Sequence, residues 1–122
     1  MATRSISTAA PVRAADMAKL EANALRASAL LKAMANPARL MVLCQIAQGE
    51  KSVGELEEAV GLSQSALSQH LAVLRARHVV TARREGQTIF YSLTSPEASS
   101  LMGALYEVFC RKATKRAKAK AA

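Results

Sequence analysis

The sequence predicts a mainly α-helical fold with a two-stranded β-hairpin before its last helix. Apolar residues recur at helical spacing through most of residues 17–76. Two runs rich in β-branched and aromatic residues, in HVVTARREGQTIFYSL, flank Glu85-Gly86, which predicts a tight turn between two strands. Aromatic residues make up 3% of the 122 residues, so the core must be aliphatic, which suits packed helices in one domain.

The first two helices are separated by the dipeptide Asn36-Pro37. Residues 17–35 read as one helix, because apolar side chains fall on a single stripe. Asn36 is a good N-cap and Pro37 suits the first helical position, so a second helix is expected from there to about Ala47. The predicted inward stripe of this second helix consists of Leu40, Leu43, Cys44 and Ala47.

The next two helices have their own start signals. Ser52 and Glu55 have the spacing of a capping box, and the helix that they open is expected to end before Gly61. Ser63 is the N-cap expected for the following helix. The buried stripe of that helix is expected to consist of Leu67, Leu71 and Leu74.

Two such helices joined at a glycine outline a helix-turn-helix. The hairpin follows, and Ser95 caps a last helix that is expected to run to about Lys112, with Leu101, Leu105 and Val108 on one stripe. The order of elements is that of a winged helix-turn-helix. We therefore expect a disordered N-terminal tail at 1–15, the winged domain at 16–112 and a basic tail at 113–122.

The net charge of +8 comes from the two ends of the chain. Residues 1–15 hold two arginines and residues 111–122 hold six basic residues, so of the 17 basic residues nine remain in 16–110, against nine acidic ones. The sequence has no apolar run near the ~20 residues of a membrane span and no secretory signal. With two cysteines and no export signal, we expect a cytoplasmic protein that does not bind membranes.

The helix opened by Ser63 is the candidate DNA-reading element. If its leucines face inward, its amide and hydroxyl side chains face outward near the N-terminus, where a recognition helix contacts bases. Arginines end this helix and flank the hairpin tip, where they can contact phosphate. An ordinary solvated polar face is the alternative interpretation of these side chains. The candidate DNA-binding residues are Ser63, Gln64, Ser65, Ser68, Gln69, His70, Arg75, Arg83, Arg84 and Gln87.

Residues of about 25–110 resemble the ArsR/SmtB family of bacterial repressors. The resemblance is carried by NPARLMVL in the second helix, LSQSALSQHLAVLR in the recognition helix and RREGQTIFYSL in the hairpin. It implies a homodimer held by the first and last helices, which binds an inverted repeat in operator DNA and releases it on a chemical signal. A dimer is physically reasonable, since two recognition helices about 34 Å apart can read a palindrome.

Metal sensing, common in this family, has little support in the sequence. One family site uses Cys-x-Cys before the recognition helix, where this chain has VGELEEAVG. Another uses Asp, His and Glu along the last helix, but residues 96–122 contain only two glutamates and neither His nor Asp. No set of three or four converging ligands is evident, so no metal or other cofactor is expected. A metal held by the two cysteines and a histidine remains an alternative.

The cysteines, Cys44 and Cys110, resemble those of the sulfide- and persulfide-responsive branch of the family, the BigR/SqrR type. That resemblance implies that a di- or polysulfide bridge between them, formed by sulfane sulfur or an oxidant, releases the operator. Arg111 and Lys112 follow Cys110 and favour a reactive thiolate there. The alternative is two structural cysteines. A thiol–disulfide enzyme would need a Cys-x-x-Cys motif that is missing, so the chain is not expected to be an enzyme.

Overall fold

The computed structural model describes residues 13–111, in which six α-helices surround a small sheet. The predicted C-terminal tail and residues 1–12 of the predicted N-terminal tail lie outside the described residues, and helical structure begins at Ala14. The elements in chain order are α1 (Ala14–Ala22), α2 (Ala24–Met34), α3 (Pro37–Ala47), β1 (Lys51–Ser52), α4 (Val53–Val60), α5 (Gln64–Ala76), β2 (Val80–Glu85), β3 (Thr88–Leu93) and α6 (Pro96–Tyr106), followed by a π-helical turn at Glu107–Arg111.

The single helix predicted for residues 17–35 is wrong, because two helices meet at Asn23. The backbone of Asn23 leaves the helical region, with φ −108° and ψ 10°. Its side-chain amide donates to the carbonyl oxygen of Lys19 at 2.9 Å. Asparagine side chains compete in this way for backbone groups, which disfavours a helix interior. As a result, α1 is a separate helix with no buried residue of its own.

The start of α3 is confirmed, whereas its predicted inward face is confirmed only in part. Asn36 Oδ1 accepts a hydrogen bond from the backbone N–H of Arg39 at 3.0 Å, with Pro37 in the first turn. Of the predicted stripe, Leu43 is buried and Leu40 packs against the core, and the buried face is completed by Val42 and Ile46. Apolar residues cover nearly the whole circumference of this helix, so periodicity alone could not choose the face. Cys44 and Ala47 are exposed.

The helix-turn-helix is confirmed at α4 and α5. Ser52 Oγ accepts from the N–H of Glu55 at 3.1 Å, and Glu55 Oε1 accepts from the N–H of Ser52 at 2.8 Å, which completes the capping box. Gly61 then takes a left-handed conformation, with φ 68°. Ser63 Oγ accepts from the N–H of Ala66 at 3.2 Å and caps α5. All three leucines predicted for the buried stripe of α5, Leu67, Leu71 and Leu74, are buried.

The end of α5 is a Schellman motif with a histidine at its left-handed position. His78 has φ 60°, and its N–H donates to the carbonyl oxygen of Arg75 at 3.0 Å. The N–H of Val79 donates to the carbonyl oxygen of Leu74 at 2.9 Å, and both side chains are fully buried. These two hydrogen bonds end α5, and the chain enters β2 directly after them.

The sheet has three strands in the order β1-β3-β2, so the prediction of two strands was incomplete. β2 and β3 pair antiparallel, and β1 adds to the other edge of β3, where Ser52 pairs with Phe90. Glu85 closes β2 by pairing with Thr88, which leaves Gly86-Gln87 as the turn instead of the predicted Glu85-Gly86. We call β2, β3 and this turn the wing.

The last helix changes geometry before it reaches Cys110. Ser95 Oγ accepts from the N–H of Ala98 at 3.1 Å, so the predicted cap is confirmed. Leu101 and Leu105 pack against the core, whereas Val108, predicted on the same stripe, is exposed. Because a π-helical turn is wider than an α-helical one, the residues after Tyr106 no longer follow the α-helical stripe.

One apolar cluster joins α2 to α6 and the start of β2, and it includes Leu43, Leu56 and Met102. Within residues 13–111, no helix combines the length and the apolar character that crossing a bilayer requires. The core lies behind α5, so that the opposite face of this helix is left for contacts with another molecule.

Candidate DNA-binding surface and cysteine pair

The N-terminal half of α5 presents the side chains that the sequence predicted as base contacts. Gln64, Ser65, Ser68 and Gln69 are exposed, and His70 is half-buried. Ser63 is exposed too, but its hydroxyl oxygen is engaged in capping the helix. Its first role is therefore to orient the exposed side chains that follow it.

The wing lies beside this helix face and forms an open cleft of about 500 Å³ with it. Gln64, Ser68 and Arg75 line the cleft from α5, and Ile89 and Tyr91 line it from β3. The structure thus brings predicted residues of the recognition helix next to the wing. Arg84 and Gln87 are also exposed, at and beside the hairpin tip.

Arg83 differs from the other predicted DNA contacts, because two carboxylates hold its guanidinium. Its Nη2 and Nε donate to Glu50 Oε1 and Oε2 at 2.8 and 3.1 Å, and its Nη1 donates to Glu85 Oε2 at 3.1 Å. Its guanidinium carbon lies 4.7 Å from the centre of the Phe90 ring, a cation–π distance. The hydrogen bonds from Arg83 lower the pKa of Glu50. Sequence reasoning missed Glu50 and Phe90 as members of this arrangement.

The two cysteines, 66 positions apart in the sequence, lie on segments that the fold brings together, because α3 contacts α6 and the π-helical turn continues α6. Cys44 lies on α3 and Cys110 in the π-helical turn, and both side chains are exposed. Partial burial raises the pKa of the Cys44 thiol above its ordinary value, and the neighbouring Cys110 thiol raises that pKa further.

The raised pKa predicts how Cys44 reacts with alkylating agents. At neutral pH the thiol form predominates, so its alkylation is slow and rises as pH passes above the ordinary thiol value of about 8.5. We expect Cys110→Ser to shift the midpoint for Cys44 to lower pH, although burial keeps it above the ordinary value. Rates with iodoacetamide across a pH series, read by peptide mass spectrometry, measure this midpoint. Val108→Ala is the control and should leave it unchanged, whereas a midpoint at or below the ordinary value contradicts the prediction.

Potential metal ligands are dispersed over the described part of the chain. Among residues 13–111, no group of three or more His, Cys, Asp or Glu side chains is placed to hold a metal ion. His70 and His78 lie on and just after α5, away from the cysteine-bearing turn in the sequence.

Comparison with known proteins identifies the family. The model of the "Bacterial regulatory protein, arsR family" matches residues 36–81, from the cap of α3 into β2. The chain is 50% identical over 91 residues to the biofilm growth-associated repressor of Agrobacterium fabrum. The aligned residues make up 75% of this chain and 78% of the relative. It is 47% identical over 96 residues to the transcriptional activator HlyU of Vibrio cholerae. This alignment covers 79% of this chain and 89% of HlyU.

The fold is shared as well. The structure of reduced HlyU from Vibrio cholerae superposes with a TM-score of 0.72 at 49% identity, covering 75% of this chain and 97% of HlyU. Two findings together assign the family: the winged helix-turn-helix fold with its three-stranded sheet, and the sequence identity to these relatives. The chain belongs to the bacterial ArsR family of transcriptional regulators.

Proposed function

We propose that this regulator is a repressor that releases its operator when Cys44 and Cys110 are joined by a di- or polysulfide bridge. The observation that carries the proposal is the proximity of two exposed thiols from distant parts of the sequence. Two comparisons support it. One relative is described as a repressor, and the HlyU structure is described as a reduced form, which implies that its oxidation state can vary.

We propose that the operator is an inverted repeat in double-stranded DNA, bound by a homodimer. Large apolar side chains remain exposed on the helices, including Leu25 of α2 at 89% and Phe109 of the π-helical turn at 69%. Exposed apolar side chains on neighbouring helices mark a protein–protein contact. A second copy seated on α1, α2 and the C-terminal turn would cover them and set the spacing of the two α5 helices.

Bridge formation follows ordinary thiol chemistry. A thiolate of one cysteine attacks a sulfane sulfur of the donor, takes that sulfur as a persulfide, and the donor leaves as a thiolate. The second cysteine attacks the sulfur that is bonded to carbon, and hydrogen sulfide leaves to give a disulfide. If the second cysteine already carries a sulfur atom, the same step gives a trisulfide. Extra sulfur atoms span a wider gap than the geometry of a direct disulfide permits.

The bridge would act on DNA binding through α3. This helix packs against α5 through the buried face formed by Val42, Leu43 and Ile46, and it contacts α6 as well. Linking α3 to the turn after α6 would favour one arrangement of these helices over another. A coupling of about 1–3 kcal/mol between bridge and DNA corresponds to a 5–150-fold change in affinity.

The proposal is tested by measuring DNA binding and covalent state on the same sample. The probe is a duplex that the reduced chain selects from a random pool. The effector is an organic trisulfide added with its parent thiol, and the two react to give a disulfide and a hydropersulfide that donates its terminal sulfur. We expect the affinity for the duplex to fall as mass spectrometry shows a Cys44–Cys110 link, with one added sulfur mass for each inserted atom. Loss of DNA binding with both cysteines unlinked would overturn the sensing mechanism.

A regulator with structural cysteines or a metal(loid) effector is the second candidate. The partial burial that raises the pKa of Cys44 favours it, because a partly buried and mostly protonated thiol also serves as a packing residue. Zinc and arsenite added to the reduced protein form the comparison arm of the same assay. Release by either, with no response to the trisulfide, would favour this candidate.

A further inference from the structure

The wing carries two adjacent arginines that face opposite sides of the sheet. Arg83 pairs with Phe90 and Arg84 pairs with Ile89 in the register of β2 and β3. Successive side chains of a strand point to opposite faces, so Arg84 shares the face of Ile89 and Arg83 shares that of Phe90. Ile89 lines the cleft beside α5, which places Arg84 on the face of the sheet turned toward the recognition helix.

The side chain of Arg83 lies across β3 instead of projecting away from the sheet. β3 is the middle strand, and the guanidinium of Arg83 lies over the Phe90 ring to reach Glu50, the residue before β1. With Glu85 on its other side, one cation is bound by two carboxylates. The group as a whole therefore carries a net negative charge and is poorly suited to contact phosphate.

Arg84 has a different environment, similar to that of Arg75 in the last turn of α5. Within residues 13–111, the side chains of Arg84 and Arg75 make no hydrogen bond or ion pair, and both are exposed. Arg75 lines the cleft, and Arg84 lies at the wing end of the face that lines it. The cationic side chains of Arg75 and Arg84 thus flank the cleft between α5 and the wing.

We infer that Arg84 and Arg75 supply the wing-side phosphate contacts, and that Arg83 is a positioning residue that holds the wing through Glu50. The inference rests on the proposed DNA binding and assigns separate roles to two arginines that the sequence places together. A phosphate contact releases counterions and contributes to the salt dependence of binding, whereas a positioning residue does not.

The test compares Arg84→Gln with Arg83→Gln, which remove the same charge at neighbouring positions. Fluorescence anisotropy with the full chain and the duplex selected by the wild type gives the affinity at several salt concentrations. We expect Arg84→Gln to reduce the slope of log affinity against log salt by about 0.9 per subunit, and Arg75→Gln to do the same. Arg83→Gln should leave the slope unchanged while it lowers the affinity at every salt concentration.

A double variant tests whether Arg83 acts through Glu50. Arg83→Gln leaves the Glu50 carboxylate without its main partner, so Glu50→Gln together with Arg83→Gln should recover affinity relative to Arg83→Gln alone. An equal loss of slope in Arg83→Gln and Arg84→Gln would overturn the inference, as would no recovery in the double variant. Circular dichroism confirms that each variant is folded.

The proposed DNA binding and the assignment of roles to the two arginines are disproved by different results. If the wild-type protein selects no duplex from the random pool, the proposed DNA binding itself is wrong. If the wild type selects a duplex and the slope of Arg84→Gln equals that of the wild type, only the assignment of the two arginines is wrong.

Discussion

Replacing Cys110 with serine should leave operator binding intact and remove its response to sulfane sulfur. Serine keeps the size of the side chain at this exposed position, so the fold and the α5 surface should be unaffected. The bridge needs both sulfurs, since a persulfide on Cys44 alone does not link α3 to the C-terminal turn. We expect the wild-type affinity to fall by about 5–150-fold on addition of the trisulfide, and the variant affinity to change less than about 2-fold.

Matched variants separate the bridge from other effects of the donor. Cys44→Ser should be as unresponsive as Cys110→Ser, because the bridge needs both sulfur atoms. Val108→Ala, two residues before Cys110 and exposed, keeps both thiols and should respond as the wild type does. Anisotropy with the selected duplex gives all four affinities. Undiminished release in Cys110→Ser would show that the effector acts elsewhere.

Replacing Leu74 with alanine should be among the most destabilising single changes in α5. Leu74 is fully buried and belongs to the cluster that joins the recognition helix to β2. Truncating a buried leucine costs about 2–5 kcal/mol, because apolar contact is lost and a cavity remains. A small domain has a total free energy of unfolding of about 5–15 kcal/mol, so a large part of the stability should disappear.

Val73→Ala is the control within the same helix. Val73 is adjacent to Leu74 but 38% exposed, and its truncation should cost less than about 1 kcal/mol. Urea unfolding followed by circular dichroism gives both values, with similar denaturant slopes if each variant unfolds in a two-state manner. Comparable losses in the two variants would show that the α5 core does not depend on Leu74 as the packing indicates.

Features set by a few neighbouring residues were predicted well from the sequence. The caps at Asn36, Ser63 and Ser95 each depend on one hydrogen bond to a residue three positions later, so their signal is local. The buried leucines of α5 stand on one clear stripe between polar residues, which fixes the face. The family resemblance drew on the same segments and gave the winged fold.

Features that interrupt a continuous pattern, or that depend on distant residues, were not predicted. The break at Asn23 lay inside a continuous apolar pattern, and the two-residue strand β1 is too short to show a period. The exposed position of Cys44 depends on which side of a nearly all-apolar helix meets the core. Glu50 and Arg83 are 33 residues apart, so only the folded sheet shows that this arginine is already engaged.

The third strand has a consequence for the edges of the sheet. β2 pairs with β3 along its whole length, and on the other side β1 covers the middle of β3 at Phe90 and Tyr91. β1 is two residues long, and the outer strand β2 carries Arg83, Arg84 and Glu85 in succession. Short and charged edge strands resist the addition of foreign strands. The short and charged edges of the described sheet thus disfavour edge-to-edge aggregation.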